Sequence, residues 1–247
     1  GYLIWTLAPR YKPYMDTRLV LRSADEFAEY LALVDEPARF DAWEEQHPMT
    51  YAVLPVGYPD RYLGLIAHLY ASPRWSLVST DGAEVLFAKR DEAGGDDAAR
   101  DEIDLASPST LDGLRERIDL TYAHAPALAE AGRLQLATLA LAVGQPAQAE
   151  RALVGVASPN AEALRARCRL AVGDLDAAAR TAEALLALDG DDVRSLDLLA
   201  AVEARRGDST KAVALLRRAL AVNPFDAEAR RILETWETPA SSAGTHD

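Results

Sequence analysis

The sequence predicts a small α/β domain followed by an all-α helical repeat stack, and three observations support this. Residues 1–91 mix aromatic and β-branched residues with prolines, whereas the chain from residue 113 onward is rich in Ala, Leu, Arg and Glu. Between them, residues 92–112 carry seven acidic residues against one Arg, a composition typical of a solvated linker. In the second half, Gly and Ala positions recur 34 residues apart. We therefore expect the α/β domain over residues 1–91, the acidic linker over 92–112 and the helical repeats over 113–237.

The overall composition excludes several classes of protein. The chain has 247 residues, a net charge of −13 and a pI of about 4.8. Phosphate contacts need clustered Lys and Arg, so we expect no nucleic-acid partner. The single cysteine, Cys168, excludes an internal disulfide framework and a multi-cysteine metal site. No apolar run approaches the roughly 18 residues that indicate a membrane-spanning helix.

The first half of the chain predicts alternating short strands and helices. Ser23, followed by Glu26 three positions later, forms a capping box and predicts a helix start. Asp81-Gly82 between two apolar runs predicts a β-hairpin. Pro55 cannot donate to a ladder, so we expect it on an edge strand or at the end of its strand. The predicted order is β-β-α-α-β-α-β-β, with strands at residues 2–7, 15–21, 50–56, 75–79 and 83–89 and later helices at 37–46 and 60–70.

The second half contains an internal repeat. Gly173 and Gly207 lie 34 residues apart, as do Ala178 and Ala212. An earlier copy, marked by Gly144, stands only 29 residues before the next, so we expect its second helix or its loop to be shortened. A 34-residue helix–turn–helix period places Gly at the tight turn, while a small Ala allows two helices to approach closely. The repeat therefore predicts stacked helical pairs.

Across residues 125–237 the chain resembles the tetratricopeptide repeat (TPR) family, in three copies of which the first is irregular. The copies lack the Trp and Tyr typical of the first helix, and Gly190 stands where the family has Pro. The resemblance implies an all-α stack with an inner groove, lined by the first helix of each pair, that binds a protein or peptide. A final helix over 226–236 is expected to cap the stack, and residues 238–247 to form a disordered tail.

The resemblance also indicates which side chains lie on or near that groove. Its three arginines could bind a carboxylate or an acidic peptide, because a guanidinium offers forked, charge-assisted donors. The alternative is that they are ordinary solvated helix charges. Leu164 and Leu198 stand where chaperone-tail clamps have Asn, so we do not expect that ligand class. The groove candidates are Thr138, Asn160, Arg167, Arg194, Asp197 and Arg205.

The sequence contains no recognisable catalytic motif. The four histidines are far apart and outside metal-ligand spacing, and no phosphate-binding loop, dinucleotide fingerprint or nucleophile motif occurs. Cys168 has Arg165, Arg167 and Arg169 nearby, which could lower the pKa of its thiol, but helix packing is the expected role. We therefore predict no catalytic residue, no cofactor and no metal site in this chain.

The first half resembles a second family. Motifs at residues 1–5, Asp16–Arg18, Trp43, 51–56 and 75–87 match, in order and spacing, the soluble extracytoplasmic domain of bacterial multi-spanning, glycosyltransferase-like membrane proteins. That domain follows the last membrane helix, and some members carry C-terminal TPRs. The resemblance implies that Asp16 and Arg18 make inter-domain contacts, while the catalytic acids lie outside this chain.

Two functional hypotheses follow. The first is a non-enzymatic interaction module that binds a protein or peptide ligand through the inner groove. The alternative is the soluble tail of a membrane glycosyltransferase-like enzyme. The missing initiator Met and the apolar start lead us to expect a chain excised from a longer, membrane-embedded protein. Its expected location is the extracytoplasmic face of a bacterial membrane, or otherwise the cytoplasm.

Overall fold

The computed structural model describes residues 23–47, 49–90 and 102–237. The chain divides into two compact units, with the boundary between Met49 and Thr50. This boundary differs from the division after residue 91 that composition predicts. It assigns the described strands and the helical stack to the same unit.

Part of the predicted N-terminal domain lies outside the described residues. This applies to the strands expected at residues 2–7 and 15–21, and with them to the contact pair Asp16 and Arg18. It applies also to residues 91–101 of the linker region and to the tail at 238–247. What the sequence indicates about these segments stays a prediction.

Within its described residues the first unit forms two helices, and the predicted capping box at the start of the first is confirmed. The Glu26 backbone N–H donates to Ser23 Oγ (3.1 Å), and the Ser23 N–H donates to the Glu26 carboxylate (2.7 Å). These bonds satisfy N–H groups that a helix start otherwise leaves without partners. Phe40 and Trp43 are buried on the second helix. The helices are α1, Ala24–Asp35, and α2, Arg39–Gln46.

The described part of the second unit begins with an antiparallel sheet in the order β1-β3-β2. Its strands and its helix lie within one residue of the predicted bounds. Pro55 ends β1, which lies at the edge of the sheet among the described strands, and both agree with the prediction for Pro55. Gly82 turns the β2–β3 hairpin with φ +90°. Ile66 and Leu69 of α3 are fully buried, and α3 packs against β1 and β2. The elements are β1 Tyr51–Pro55, α3 Pro59–Ala71, β2 Trp75–Thr80 and β3 Glu84–Lys89.

The segment after the sheet is packed, although composition predicts a solvated linker there. The Ile103 N–H donates to the Leu77 carbonyl (2.7 Å), and the Leu105 N–H donates to the Tyr70 hydroxyl (3.0 Å). Leu105 is fully buried. Over the described residues 102–112, the chain therefore continues the core of the sheet.

The acidic residues of this segment are paired, which explains how a linker-like composition can be ordered. Glu102 forms two hydrogen bonds with Arg90 (2.5 and 2.9 Å), and Asp112 accepts from Arg151 Nε (2.9 Å). These partners are distant in sequence, so composition alone does not reveal them. Helix α4, Pro108–Thr121, already begins within the predicted linker.

From α4 onward the described chain is a stack of helices, each packed on its neighbours in sequence. The first helices of successive pairs also touch, α5 with α7 and α7 with α9. Small and apolar side chains, among them Ala166, Ala178 and Leu199, form the core between the pairs. The helices are α5 Pro126–Ala142, α6 Pro146–Ala152, α7 Pro159–Val172, α8 Leu175–Leu188, α9 Val193–Arg206, α10 Ser209–Val222 and α11 Ala227–Glu237.

The 34-residue period reappears in the turns within the last two pairs. Gly173 and Gly207 end α7 and α9 in the left-handed conformation, with φ of +88° and +86°. The residue that follows each glycine, Asp174 or Asp208, accepts a bond from the N–H three positions later (3.1 and 2.9 Å). A side chain with a Cβ is strained at such φ values. The predicted role of glycine at these turns is confirmed.

The irregularity predicted for the first pair lies in its second helix. Helix α6 has 7 residues, whereas α8 and α10 have 14 each. Arginine side chains from other helices bond the carbonyl groups at its end. Arg133 donates to the Val154 carbonyl (2.8 Å), and Arg165 donates to those of Leu153 and Val156 (2.7 Å each). Leu153 is the C-cap of α6, and Val154 and Val156 follow it, so these bonds hold the turn that ends the helix early.

The hairpin turn lies directly against α5. A Cβ placed on Gly82 would come within 2.6 Å of the Gly132 carbonyl oxygen. A Cβ on Gly132 would come within 2.8 Å of Ile118 Cγ2, on α4. The approach therefore requires glycine at both positions, and it joins the sheet to the start of the helical stack.

Candidate functional site

Two of the predicted groove residues meet in the structure. Arg194 Nη1, at the start of α9, donates to Asn160 Oδ1, at the start of α7 (2.5 Å). The two residues are 34 positions apart and therefore equivalent in the repeat. Arg194 also forms an ion pair with Asp192 (3.3 Å) while its side chain remains 59% exposed. Equivalent positions of these two first helices are therefore adjacent.

The other two groove arginines differ in whether their guanidinium groups are hydrogen-bonded. Arg205, at the end of α9, donates to the carbonyl of Leu170, near the end of α7. Arg167, in the middle of α7, is exposed and makes no hydrogen bond or ion pair within the described residues. Arg205 thus links two helices, whereas the Arg167 guanidinium is available to a ligand.

Two candidates are less accessible than the arginines. Thr138 is half-buried, and its hydroxyl donates to the Leu134 carbonyl of its own helix (2.8 Å). Asp197 is half-buried on α9, one helical turn after Arg194. The hydroxyl of Thr138 therefore already has an intrahelical partner.

The spacing of the arginines limits what they could bind. Arg194 and Arg205 lie on the same helix, eleven positions apart. At a rise of about 1.5 Å per residue their backbones are separated by about 16 Å. A single carboxylate therefore cannot contact both the Arg194 and the Arg205 guanidinium groups.

A cavity of about 600 Å³ opens between α7 and α8, and we call it the α7–α8 cavity. Its apolar wall consists of Ala177, Ala184, Leu185 and Leu188. Leu188 is 82% exposed, which is unusual for a leucine in a packed helical stack. The charged and polar residues that line the cavity are Glu162, Arg169, Asp174, Arg180 and Thr181.

The polar lining of the cavity is only partly neutralised. Glu162 is bonded to Arg165 (2.5 Å), and Asp174 accepts from the Ala177 N–H as the cap of α8. Arg169 donates to the uncharged hydroxyl of Thr181 (2.7 Å). Arg180 is exposed and has no hydrogen-bond or ionic partner among the described residues.

The sequence patterns do not reveal this cavity. The predicted groove candidates belong to the first helices of the pairs, whereas most of the cavity lining belongs to α8, a second helix. A signal is nevertheless present, because the 29-residue spacing after Gly144 predicts a shortened second helix or loop in the first pair. A shortened helix leaves part of its neighbour uncovered.

Cys168 is a packing residue in the structure. Its side chain is 2% exposed. Burial, followed by the negative charge of Glu150, raises the pKa of the thiol to about 12, although Arg169 and Arg165 lower it. The thiol is therefore protonated at neutral pH, and helix packing, the role that the sequence predicts, is confirmed.

Metal-binding clusters and membrane-spanning helices are both absent from the described part of the chain. Its residues contain no group of three or more His, Cys, Asp or Glu side chains arranged to hold a metal ion. None of its helices combines the length with the apolar character needed to cross a lipid bilayer.

Comparison with known proteins identifies no family for this chain. No protein-family model matches the chain. A search of curated proteins found no match. Among solved structures, "Crystal structure of MamA" aligns with a TM-score of 0.39 at 17% sequence identity, covering 51% of this chain and 77% of that one. A similarity of this size does not assign a function.

The resemblance of residues 1–90 to glycosyltransferase-like membrane proteins receives no support from these comparisons. It stays a prediction, as does the location at the extracytoplasmic face of a bacterial membrane. The contact role of Asp16 and Arg18 also stays a prediction.

Proposed function

We propose that the helical stack is a TPR-type protein-interaction scaffold that binds a protein or peptide along the first helices of its pairs. The observation that carries this proposal is the hydrogen bond between Asn160 and Arg194, which are equivalent residues of α7 and α9. Because equivalent residues are adjacent, exposed side chains along these two helices contribute to one continuous face. The proposal assigns no catalytic residue and no cofactor to the chain.

The charges along this face favour an extended acidic peptide. Arg167 is exposed without a partner in the described residues, and Arg194 remains more than half exposed beside Asp192. Arg205 can leave the Leu170 carbonyl for a carboxylate, because a carboxylate offers the guanidinium a full negative charge and two oxygens that match its forked donors. Asp197 lies between these arginines and selects against a ligand that is acidic at every position.

The test is a fluorescence anisotropy titration of the full chain with a fluorescein-labelled peptide of alternating Glu and Gly residues. We expect saturable binding that weakens about tenfold when Arg167→Glu reverses one charge, because attraction becomes repulsion. The matched control is Arg117→Glu, an exposed arginine on α4 outside this face, which should leave the affinity unchanged. Equal affinities for wild type and Arg167→Glu would refute the assignment of this face.

A salt titration provides a second measurement on the same complex. Exposed ion pairs are screened over about 8–10 Å at physiological ionic strength. Affinity should therefore fall steadily as NaCl is raised, and less steeply for Arg167→Glu. A salt-independent affinity would show that the peptide binds by other contacts.

A further inference from the structure

We propose that the α7–α8 cavity is a second docking site, which accepts a short amphipathic helix of a partner protein carrying a carboxylate among its apolar side chains. This site is separate from the face proposed above. It arises from the shortened α6, and three observations lead to it: the repeat register, the shape of the cavity and the charges that line it.

The repeat register shows what normally covers these positions. Glu162 and Arg169 on α7 correspond, 34 positions later, to Leu196 and Glu203 on α9. Leu196 is fully buried and Glu203 is 4% exposed. Leu215 of α10, the equivalent of Thr181 in the cavity lining, packs against the core cluster that the 14-residue helix α8 forms with α7 and α9. On α7 the equivalent positions border an open cavity, beside the 7-residue helix α6. The cavity therefore lies where a full-length second helix would continue.

The size of the cavity suits a short helical segment. The seven residues by which α6 is shorter than α8 correspond to two helical turns, about 10 Å in length. The volume of about 600 Å³ lies within the range of roughly 300–1,000 Å³ that is usual for ligand pockets. An apolar helix face would cover the exposed Leu188, which is how amphipathic helices bind in grooves.

The charges that line the cavity indicate why the docked helix should carry a carboxylate. Of the two acids in the lining, Glu162 is paired with Arg165 and Asp174 caps α8. Of the two arginines, Arg169 bonds only a hydroxyl, and Arg180 has no partner among the described residues. The remaining attraction is therefore for an anion, and a carboxylate on the docked helix would receive charge-assisted bonds from Arg169 or Arg180.

The chain itself supplies a probe, because α8 occupies the equivalent place on the next pair. We would titrate the full-length chain into a fluorescein-labelled synthetic peptide of residues 174–189, which has the sequence of α8 with its caps. We expect saturable binding, and an affinity about tenfold lower for Arg180→Glu, since reversing that charge removes the attraction. A second variant, Leu188→Asp, should weaken binding at the apolar wall. Both positions are exposed, so both variants should fold.

The matched control is Arg117→Glu, a charge reversal at an exposed position of α4 outside both proposed sites, which should leave the affinity for this peptide unchanged. A peptide in which the four acidic residues are replaced by Lys should not bind. The two sites can be tested separately, because Arg180→Glu should weaken binding of the α8 peptide, whereas Arg167→Glu should weaken binding of the Glu–Gly peptide to the face proposed above.

Three results would overturn the proposal. The first is no saturable binding of the α8 peptide, and the second is binding that Arg180→Glu and Leu188→Asp leave unchanged. The third concerns the occupant: if sedimentation velocity shows a dimer of the unlabelled chain that Leu188→Asp dissociates, a second copy fills the cavity. In each case a carboxylate-bearing partner helix would not be the ligand of this site.

Discussion

Asn160 and Arg194 stand at the same position of two successive helical pairs, and Arg194 Nη1 lies 2.5 Å from Asn160 Oδ1. The bond joins the exposed starts of α7 and α9, outside the apolar core between the pairs. The bond is informative about geometry, because it shows that equivalent positions of two adjacent first helices meet at the end of the proposed binding face.

This bond should contribute little to stability. Both side chains are exposed, and even an exposed ion pair contributes only about 0.2–1 kcal/mol. We expect Asn160→Ala and Arg194→Ala each to lower the free energy of unfolding by less than about 1 kcal/mol in urea denaturation. A loss above about 2 kcal/mol would show that the pair is important for folding. Variants at these two positions could then not be used to test binding.

Replacing the turn glycines by Ala should lower the free energy of unfolding by amounts that depend on their surroundings. At Gly173 and Gly207 the left-handed backbone is the only obstacle, because a Cβ would meet no atom within 4 Å. We expect Ala at either position to destabilise the chain by about 1–2 kcal/mol. At Gly82 a Cβ would also meet the Gly132 carbonyl oxygen at 2.6 Å, so Ala should cost about 2–4 kcal/mol.

Gly113 is the control for this series. It lies in α4 with an exposed surface, and the methyl group that Ala would add there meets no atom within 4 Å. Gly113→Ala should therefore stabilise the chain by up to about 1 kcal/mol, since Ala is the better helix former. If all four variants shifted the urea midpoint equally, backbone conformation and close contact would not be the causes.

Arg165 should be structurally important and its neighbour Arg167 should not. Arg165 donates to two carbonyl groups at the end of α6 and pairs with Glu162. We expect Arg165→Ala to destabilise the chain by about 1–3 kcal/mol, because those carbonyls lose their partner. Arg167→Ala, on the exposed side of the same helix, should change stability by no more than about 0.5 kcal/mol. Equal effects in thermal or urea unfolding would contradict this role of Arg165 at the α6 terminus.

Sequence patterns predict those features that depend on residues close together in the chain. The capping box of Ser23 and Glu26 is one example, and the turns at Gly173 and Gly207 are others, because each depends on local backbone geometry. The bonds from Arg133 to Val154 and from Ile103 to Leu77 join residues more than twenty positions apart. No local pattern encodes such pairs, which is why residues 102–112 resemble a linker in composition.

The same distinction between local and distant contacts applies to the candidate sites. The 34-residue period predicts which positions are equivalent, and Asn160 and Arg194 indeed meet. It does not reveal that Arg205 bonds a backbone carbonyl, because that contact depends on the tilt between α7 and α9. The α7–α8 cavity follows from the length of α6, a quantity that the spacing indicates but does not locate.

The buried thiol should make the stability of the chain depend on pH. The folded-state pKa of Cys168 is raised to about 12, whereas an unfolded cysteine has a pKa of about 8.5. Above pH 8.5 the unfolded chain loses a proton that the folded chain retains, so stability falls as pH rises towards 12. Between pH 8 and pH 10 we expect wild type to lose about 1–2 kcal/mol relative to Cys168→Ala.

Thiol labelling checks the same assignment independently. At pH 8 the folded chain should react with an aromatic disulfide reagent far more slowly than the urea-unfolded chain, because its thiol is both buried and protonated. Rapid labelling of the folded chain would contradict the burial of Cys168, as would identical pH profiles for wild type and Cys168→Ala.

The sheet and the helical stack should unfold together. Gly82 approaches Gly132 of α5, Leu77 bonds Ile103, and all four residues belong to one compact unit. Trp75 is 1% exposed in the sheet, so its fluorescence reports on the sheet, while circular dichroism at 222 nm reports mainly on the helices. In a variant whose other three tryptophans are Phe, we expect both signals to change at the same urea concentration, as in a two-state transition. Two separate midpoints would instead favour the independent N-terminal domain that composition predicts, and would show that the contact between the hairpin and α5 does not couple them.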